Sequence, residues 1–180
     1  QTGVQHLNNH CTGYQSNGFS SDSSGTVTYD NLLIQGNVIE SPISPSYTAS
    51  GSPHGIYVRT RNSLITRNIV YAPVNDVTGG SSAIQIRVVN TNNIVSYNKT
   101  FTTGYSGTNN AATFMENSVN VLWHHNTHKG TVGTAAPANC IYWHTSAATM
   151  HAYNNVCDGF TTFLKQRASS LTGNKATNNI

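Results

Sequence analysis

Apolar residues along this chain come in runs of only three to five, rich in Ile, Val, Leu, Thr and Tyr and broken by Asn, Gly, Ser and Thr. An amphipathic helix needs apolar residues at i, i+3, i+4 and i+7, which runs this short do not supply. β-Branched and aromatic residues bounded by turn formers predict short strands instead. The strands recur with a landmark. An Asn follows the apolar run in LIQGNVI (Asn37), LITRNIV (Asn68), IVSYNKT (Asn98), LWHHNTH (Asn126) and HAYNNVC (Asn155), and further copies are LNNHC (Asn9) and LTGNKAT (Asn174). Successive gaps are 28, 31, 30, 28, 29 and 19 residues. A fixed period with short strands in each unit predicts stacked coils, because one coil cannot bury its own inner face. The outermost units also resemble each other, NNHCTGY at 8–14 and NNVCDGF at 154–160.

Helical repeats would need two amphipathic helices per unit, and leucine-rich repeats a fixed leucine spacing; neither is present. The remaining solution is an all-β, single-stranded parallel β-helix of about six coils. It forms one domain over residues 1–180, with two or three short strands per coil stacked at about 4.8 Å. HGIYVRTRNSLITRNIVY at 54–71 runs strand, turn, second strand and landmark Asn. Units of this kind resemble the right-handed parallel β-helix superfamily, which includes pectate lyases and many other polysaccharide-active proteins. The resemblance covers nearly the whole chain and implies a right-handed coil. No single family's motif matches residue by residue.

The landmark asparagines have a physical role. An amide carries both donor and acceptor, so stacked amides bond to each other and to turn backbone. Asn also tolerates the left-handed backbone of tight turns. The seven are expected to form one inward column, which also argues against glycosylation of the sequon Asn98-Lys-Thr. Composition agrees with an extracellular solenoid: 15 of 180 residues are charged. No stretch reaches the roughly 18 apolar residues of a membrane span. The chain lacks an initiator Met and a signal-like segment, so it reads as a mature form or part of a longer polypeptide. Without capping helices its end coils are expected to be covered by further chain, by oligomerisation or by polar turns. Cys11 and Cys157 fall about 24 Å apart by coil spacing, beyond disulfide reach. Cys140 and Cys157 share a coil, and buried small hydrophobes are the default reading for all three cysteines. The segments 20–30, 41–54, 72–82, 102–110 and 130–139 read as turns, of which 41–54 and 72–82 are expected to project beside a binding strip.

Charge is uneven. Residues 1–58 hold only Asp22, Asp30 and Glu40 (−3), while 59–180 hold nine cations and three anions (+6). That suits an anionic partner but is too weak for nucleic acid, and acidic glycan is the natural anion. Strand alternation sharpens this expectation. Placing Ile56, Val58, Ile84, Ile86, Met115, Ile141, Trp143 and Leu164 inward leaves two outward columns, Tyr57–Gln85–Phe114–Tyr142–Phe163 and Arg59–Arg87–Glu116–His144–Lys165. Aromatic faces beside ionisable groups form a candidate sugar-binding strip.

Hydrolysis needs two flanking carboxyl groups, and only Glu116 lies on the strip. β-Elimination on a uronate polysaccharide instead needs cations for the sugar carboxylate, a base and an acid. Here Arg87 neutralises, Lys165 or His144 acts as base, and Glu116 orients. Arg59, Tyr57, Gln85, Phe114, Tyr142 and Phe163 bind. The β-helix resemblance implies Ca²⁺ as a family cofactor, but the carboxylates are too scattered for a convincing site. No metal site is expected. In HHNTH, His124 and His125 should point to opposite faces, leaving at most two of His124, His125 and His128 convergent. The alternative to an enzyme is a non-catalytic glycan-binding or structural β-helix segment of a phage tail spike, adhesin or extracellular filament.

Overall fold

The computed structural model describes residues 2–13, 17–21, 29–40, 54–74, 82–104, 111–130, 139–144, 149–167 and 173–180. Every regular element among them is a strand, and every pairing is parallel. Among the described residues, no helix is long and apolar enough to cross a membrane. The chain is a parallel β-solenoid whose path visits three sheets in turn. The first sheet stacks three-residue strands: Gln5–Leu7, Leu33–Gln35, Leu64–Thr66, Ile94–Ser96, Leu122–His124, His151–Tyr153 and Lys175–Thr177. The second stacks His10–Cys11, Val38–Glu40, Ile69–Val74, Lys99–Gly104, Thr127–Gly130 and Val156–Asp158. The third stacks Asn17–Ser21, His54–Val58, Ser82–Thr91, Ala111–Val119, Asn139–His144 and Thr162–Gln166, with Tyr29–Asp30 and Thr60–Arg61 paired alongside. The segments expected as turns lie mostly outside the described residues, so the projection of 41–54 and 72–82 does too.

Two sharp corners flank every strand of the first sheet, and each is one residue in the left-handed region. Before the strand come Gly3, Asn31, Asn62, Asn92, Asn120, Thr149 and Gly173. Five residues later come Asn8, Gly36, Arg67, Tyr97, His125, Asn154 and Asn178. All fourteen have φ between 49° and 74°. Asn and Gly bear this conformation at least cost, which explains why Asn is so abundant. The inward landmark Asn is therefore not the left-handed residue but its successor.

The landmark residues form a continuous hydrogen-bonded ladder. Asn98 Oδ1 accepts the backbone N–H of Asn68 at 3.0 Å and its Nδ2 at 2.9 Å. Asn98 Nδ2 in turn donates to Ile65 O at 2.9 Å and to Asn126 Oδ1 at 3.0 Å. The same pattern links Asn9 to Asn37, Asn37 to Asn68, Asn126 to Asn155 and Asn155 to Asn179. One member of the expected column is corrected: Asn179, not Asn174, completes it. Asn174 sits at the other corner, where its Oδ1 accepts the Met150 N–H at 2.7 Å. The shortened spacing of the final coil had disguised the substitution.

Inside the ring of sheets lies one main core containing Ile34, Ile56, Ile65, Ile84, Ile86, Met115, Trp123, Ile141 and Trp143. Gly55 belongs to this interior. A Cβ there would run into Val70 of the second sheet and lie 2.7 Å from the Ala83 carbonyl oxygen. The expectation that all three cysteines are unpaired is overturned. Cys140 and Cys157 form a disulfide with Cα atoms 6.0 Å apart, joining the third sheet to the second across the interior; Cys11 is free. By chain entropy, closing this 17-residue separation contributes about 3 kcal/mol.

Beside Cys157 in register sits His128, fully buried. Its Nε2 accepts the Trp123 indole N–H at 3.2 Å, which leaves the proton on Nδ1 to donate to Thr100 Oγ1 at 2.8 Å. Both ring nitrogens are thus satisfied in the neutral form. Burial pushes His128 down from 6.5 to about 3.

Two outcomes follow from this interior. Asn98→Ala should cost on the order of 3 kcal/mol in chemical denaturation, because buried partners in both neighbouring coils are stranded; an unchanged midpoint contradicts the ladder. For His128, the unfolded chain takes up a proton below about pH 6.5 while the folded chain resists until about pH 3. The contribution of His128 should therefore be complete above pH 6.5 and fall on acidification across that window, by on the order of 5 kcal/mol in all. Urea midpoints measured against pH should show this slope, and His128→Gln should flatten it.

Candidate functional site

The outer face of the third sheet carries the site. Register aligns Tyr57 with Gln85, Gln85 with Phe114 and Phe114 with Tyr142. The adjacent column aligns Arg87 with Glu116 and Glu116 with His144, and Arg59 follows Val58, which pairs with Ile86. At the last coil the expected register is corrected by two residues. Lys165 pairs with Tyr142 rather than lying beside His144, and Leu164 pairs with Ile141. A shift of two keeps Lys165 on the outer face. Phe163 moves to the level of Cys140 and packs against the main core, so it does not belong to the outer aromatic column. The position beside His144 falls to Arg167, which sequence reasoning missed.

The two columns differ in accessibility. Phe114 and Tyr142 are 7% and 0% exposed and form, with Ala111, a small apolar cluster separate from the main core. Their rings meet edge to face at 5.0 Å. Gln85 is also buried, and its Oε1 accepts no hydrogen bond among the described residues. Tyr57 is half-buried and stacks on His54 with centroids 5.2 Å apart. These side chains point away from the main core, as alternation predicts, but stacking on a sugar would require Phe114 and Tyr142 to be uncovered first.

The ionic column is more open, and contacts run along it from Arg87 to Arg167. Arg87 Nη1 donates to the Tyr57 hydroxyl at 3.1 Å, and its Nε lies 2.7 Å from Glu116 Oε2. Glu116 Oε1 lies 3.6 Å from His144 Nδ1. On the far side, Arg167 Nη1 lies 2.6 Å from His144 Nε2. A guanidinium can only donate, so Nε2 is the acceptor and Nδ1 carries the proton, facing Glu116. Lys165 Nζ lies 4.8 Å from the Tyr142 ring centroid, over its face, a cation–π contact.

Electrostatics follow from this geometry. Burial is the main cause holding His144 below the usual histidine range; Glu116 opposes it, and the positive charges of Arg167, Arg87 and Lys165 reinforce it. Neutral imidazole therefore prevails at physiological pH. Arg87 is raised above its ordinary value, first by the Tyr57 hydrogen bond and then by Glu116, against a burial cost. Tyr142 is pushed up by burial, with Arg167 opposing. The face thus gathers Arg87, Lys165 and Arg167 around one carboxylate and one neutral imidazole, with Arg59 following Val58 of the neighbouring strand. Among the described residues, no group of three or more His, Cys, Asp or Glu side chains could hold a metal ion.

Two further ionic pairs lie elsewhere. Asp30 takes a bidentate bond from Arg61, both contacts 2.8 Å, and Glu40 lies 3.1 Å from His10. Compared with known proteins, the chain matches no protein-family model, no curated protein and no solved structure.

The charges around His144 set the sign of two variants. Arg167→Ala should raise the His144 pKa, because it removes a neighbouring cation, and Glu116→Gln should lower it, because it removes the stabilising anion. Imidazole NMR titration reads both; shifts of the opposite sign would dissolve the cluster as described.

Proposed function

We propose that this chain is an extracellular carbohydrate-active protein that binds an acidic, uronate-containing polysaccharide on the outer face of the third sheet and cleaves it by β-elimination. The observation that carries this reading is the gathering of Arg87, Lys165 and Arg167 around the Glu116–His144 pair. The fold is read as a right-handed β-helix of about six coils, of the kind found in pectate lyases. Parallel strand–crossover–strand connections are right-handed in nearly all proteins, and up to seven strands stack in the sheet of short strands. The Cys140–Cys157 disulfide supports an oxidising, extracellular setting.

In the proposed reaction the arginines bind and neutralise the sugar carboxylate, which acidifies the neighbouring C5 proton. Arg167 turns from His144 to the substrate, freeing Nε2 to take that proton, while Glu116 steadies the imidazole through Nδ1–H. The electron pair forms the C4–C5 double bond, the C4–O bond breaks, and Lys165 protonates the leaving oxygen. Here the guanidinium charges do the work that Ca²⁺ does in relatives of the resembled superfamily.

A second reading is a non-catalytic glycan-binding or structural β-helix segment. Two observations favour it: the burial of Phe114 and Tyr142, and the engagement of Arg87, Glu116, His144 and Arg167 with one another.

Incubation with alginate, pectate and glycosaminoglycans, followed by the ultraviolet absorbance of unsaturated uronate, separates the two. For a lyase, His144→Ala and Lys165→Ala should cut turnover about 10²–10⁴-fold with binding retained. Arg87→Ala should weaken binding more at low salt than at high salt. Binding without turnover leaves a recognition surface, and no affinity for any glycan leaves the structural segment.

A further inference from the structure

The corner between the first and second sheets carries a second cluster, on different sheets from the face that bears Glu116 and His144. At this corner most coils place Gly36 or an asparagine such as Asn154 in the left-handed conformation. His125 occupies it with φ 54°, a conformation a bulky side chain adopts only at a cost. The consequence is geometric. Simple strand alternation sends adjacent side chains to opposite faces, but the left-handed turn at His125 swings its ring back toward His124. The expectation that these two histidines diverge is thereby corrected: their Nδ1 atoms lie 2.9 Å apart.

Both rings are held in place. His124 stacks on Tyr153 with centroids 4.9 Å apart and planes 12° apart, and His125 stacks on Tyr97 at 5.1 Å and 21°. Asn154 Nδ2 lies 3.3 Å from His125 Nε2. That amide nitrogen can only donate, so Nε2 accepts, and the one proton between the two Nδ1 atoms belongs to His125. His124 Nδ1 is then the acceptor, its lone pair turned to its neighbour. His128, the third histidine of the segment, faces the interior with its own partners and takes no part.

We propose that His124 and His125 form a two-imidazole clamp for a divalent transition-metal ion of the copper(II) type, with water in its remaining positions. Imidazole nitrogens bind such ions at about 2.0 Å, and two ligands at a right angle then stand about 2.8 Å apart, against about 3.3 Å for a tetrahedral site. The observed separation fits the square-planar or tetragonal arrangement that copper(II) and nickel(II) favour. No net proton need be released. The proton of His125 moves from Nδ1 to Nε2, and the Asn154 amide turns over to accept it through Oδ1, the outer partner a ligating histidine requires.

The test is titration of the full chain with copper(II) alone, read by calorimetry and by the nitrogen hyperfine pattern of the bound ion in electron paramagnetic resonance. The wild-type chain should show one saturable equivalent with two imidazole nitrogens. His124→Ala and His125→Asn should each abolish that equivalent, and Asn154→Ala should weaken it about tenfold. His125→Asn guards against misfolding, because Asn suits the left-handed corner; its melting temperature should equal or exceed that of the wild type. Absence of a saturable equivalent, a one-nitrogen signature, or binding unchanged in His125→Asn would each overturn the clamp.

Discussion

Every coil of this protein depends on a side-chain amide that closes a corner. A three-residue strand between two left-handed corners turns backbone N–H and C=O groups toward an apolar interior, and orphaned groups are costly there. The inward asparagine answers this locally. Its oxygen takes the N–H and amide of the preceding coil, and its nitrogen reaches a carbonyl and the following oxygen. Each rung therefore needs its neighbours, which makes the solenoid cooperative along its axis although each coil contacts only the next. The apolar core, the sheet register and the outer columns all inherit their alignment from this ladder.

The same constraint explains what could be read in the chain and what could not. The period was legible because corner chemistry admits few residues, so Asn37, Asn68, Asn98, Asn126 and Asn155 announce themselves. The columns Arg87–Glu116–His144 and Gln85–Phe114–Tyr142 were legible because ladder spacing and alternation fix register between well-marked coils. Where the marks fade, register fades too. Lys165 slid by two places because Thr162–Gln166 carries no corner residue of its own and fits either alignment. Arg167 was overlooked for the same reason, although it was the next residue of matching parity.

Three further features were beyond a pattern of alternation. The Cys140–Cys157 bond joins two different sheets, and its convergence depends on how wide the interior is, which spacing along the chain does not encode. The meeting of His124 and His125 depends on the left-handed turn at a residue that is neither Asn nor Gly. The burial of Phe114 and Tyr142 depends on what lies over the outer face, not on which way a strand points its side chains. Parity does align Arg87, Glu116 and His144 in one column, and the functional reading rests on them.

The hydrogen bond between Trp123 and His128 has an optical consequence. The chain has only two tryptophans, and both are buried in the main core. One donates its indole N–H to a titratable ring, while Trp143 Nε1 has no hydrogen-bond partner among the described residues. Any event that lets a proton or water reach His128 would change the surroundings of the first indole and leave the second as an internal reference. The interior of this solenoid thus contains its own fluorescent gauge of coil opening, sited next to the disulfide-bonded coil, without any label attached.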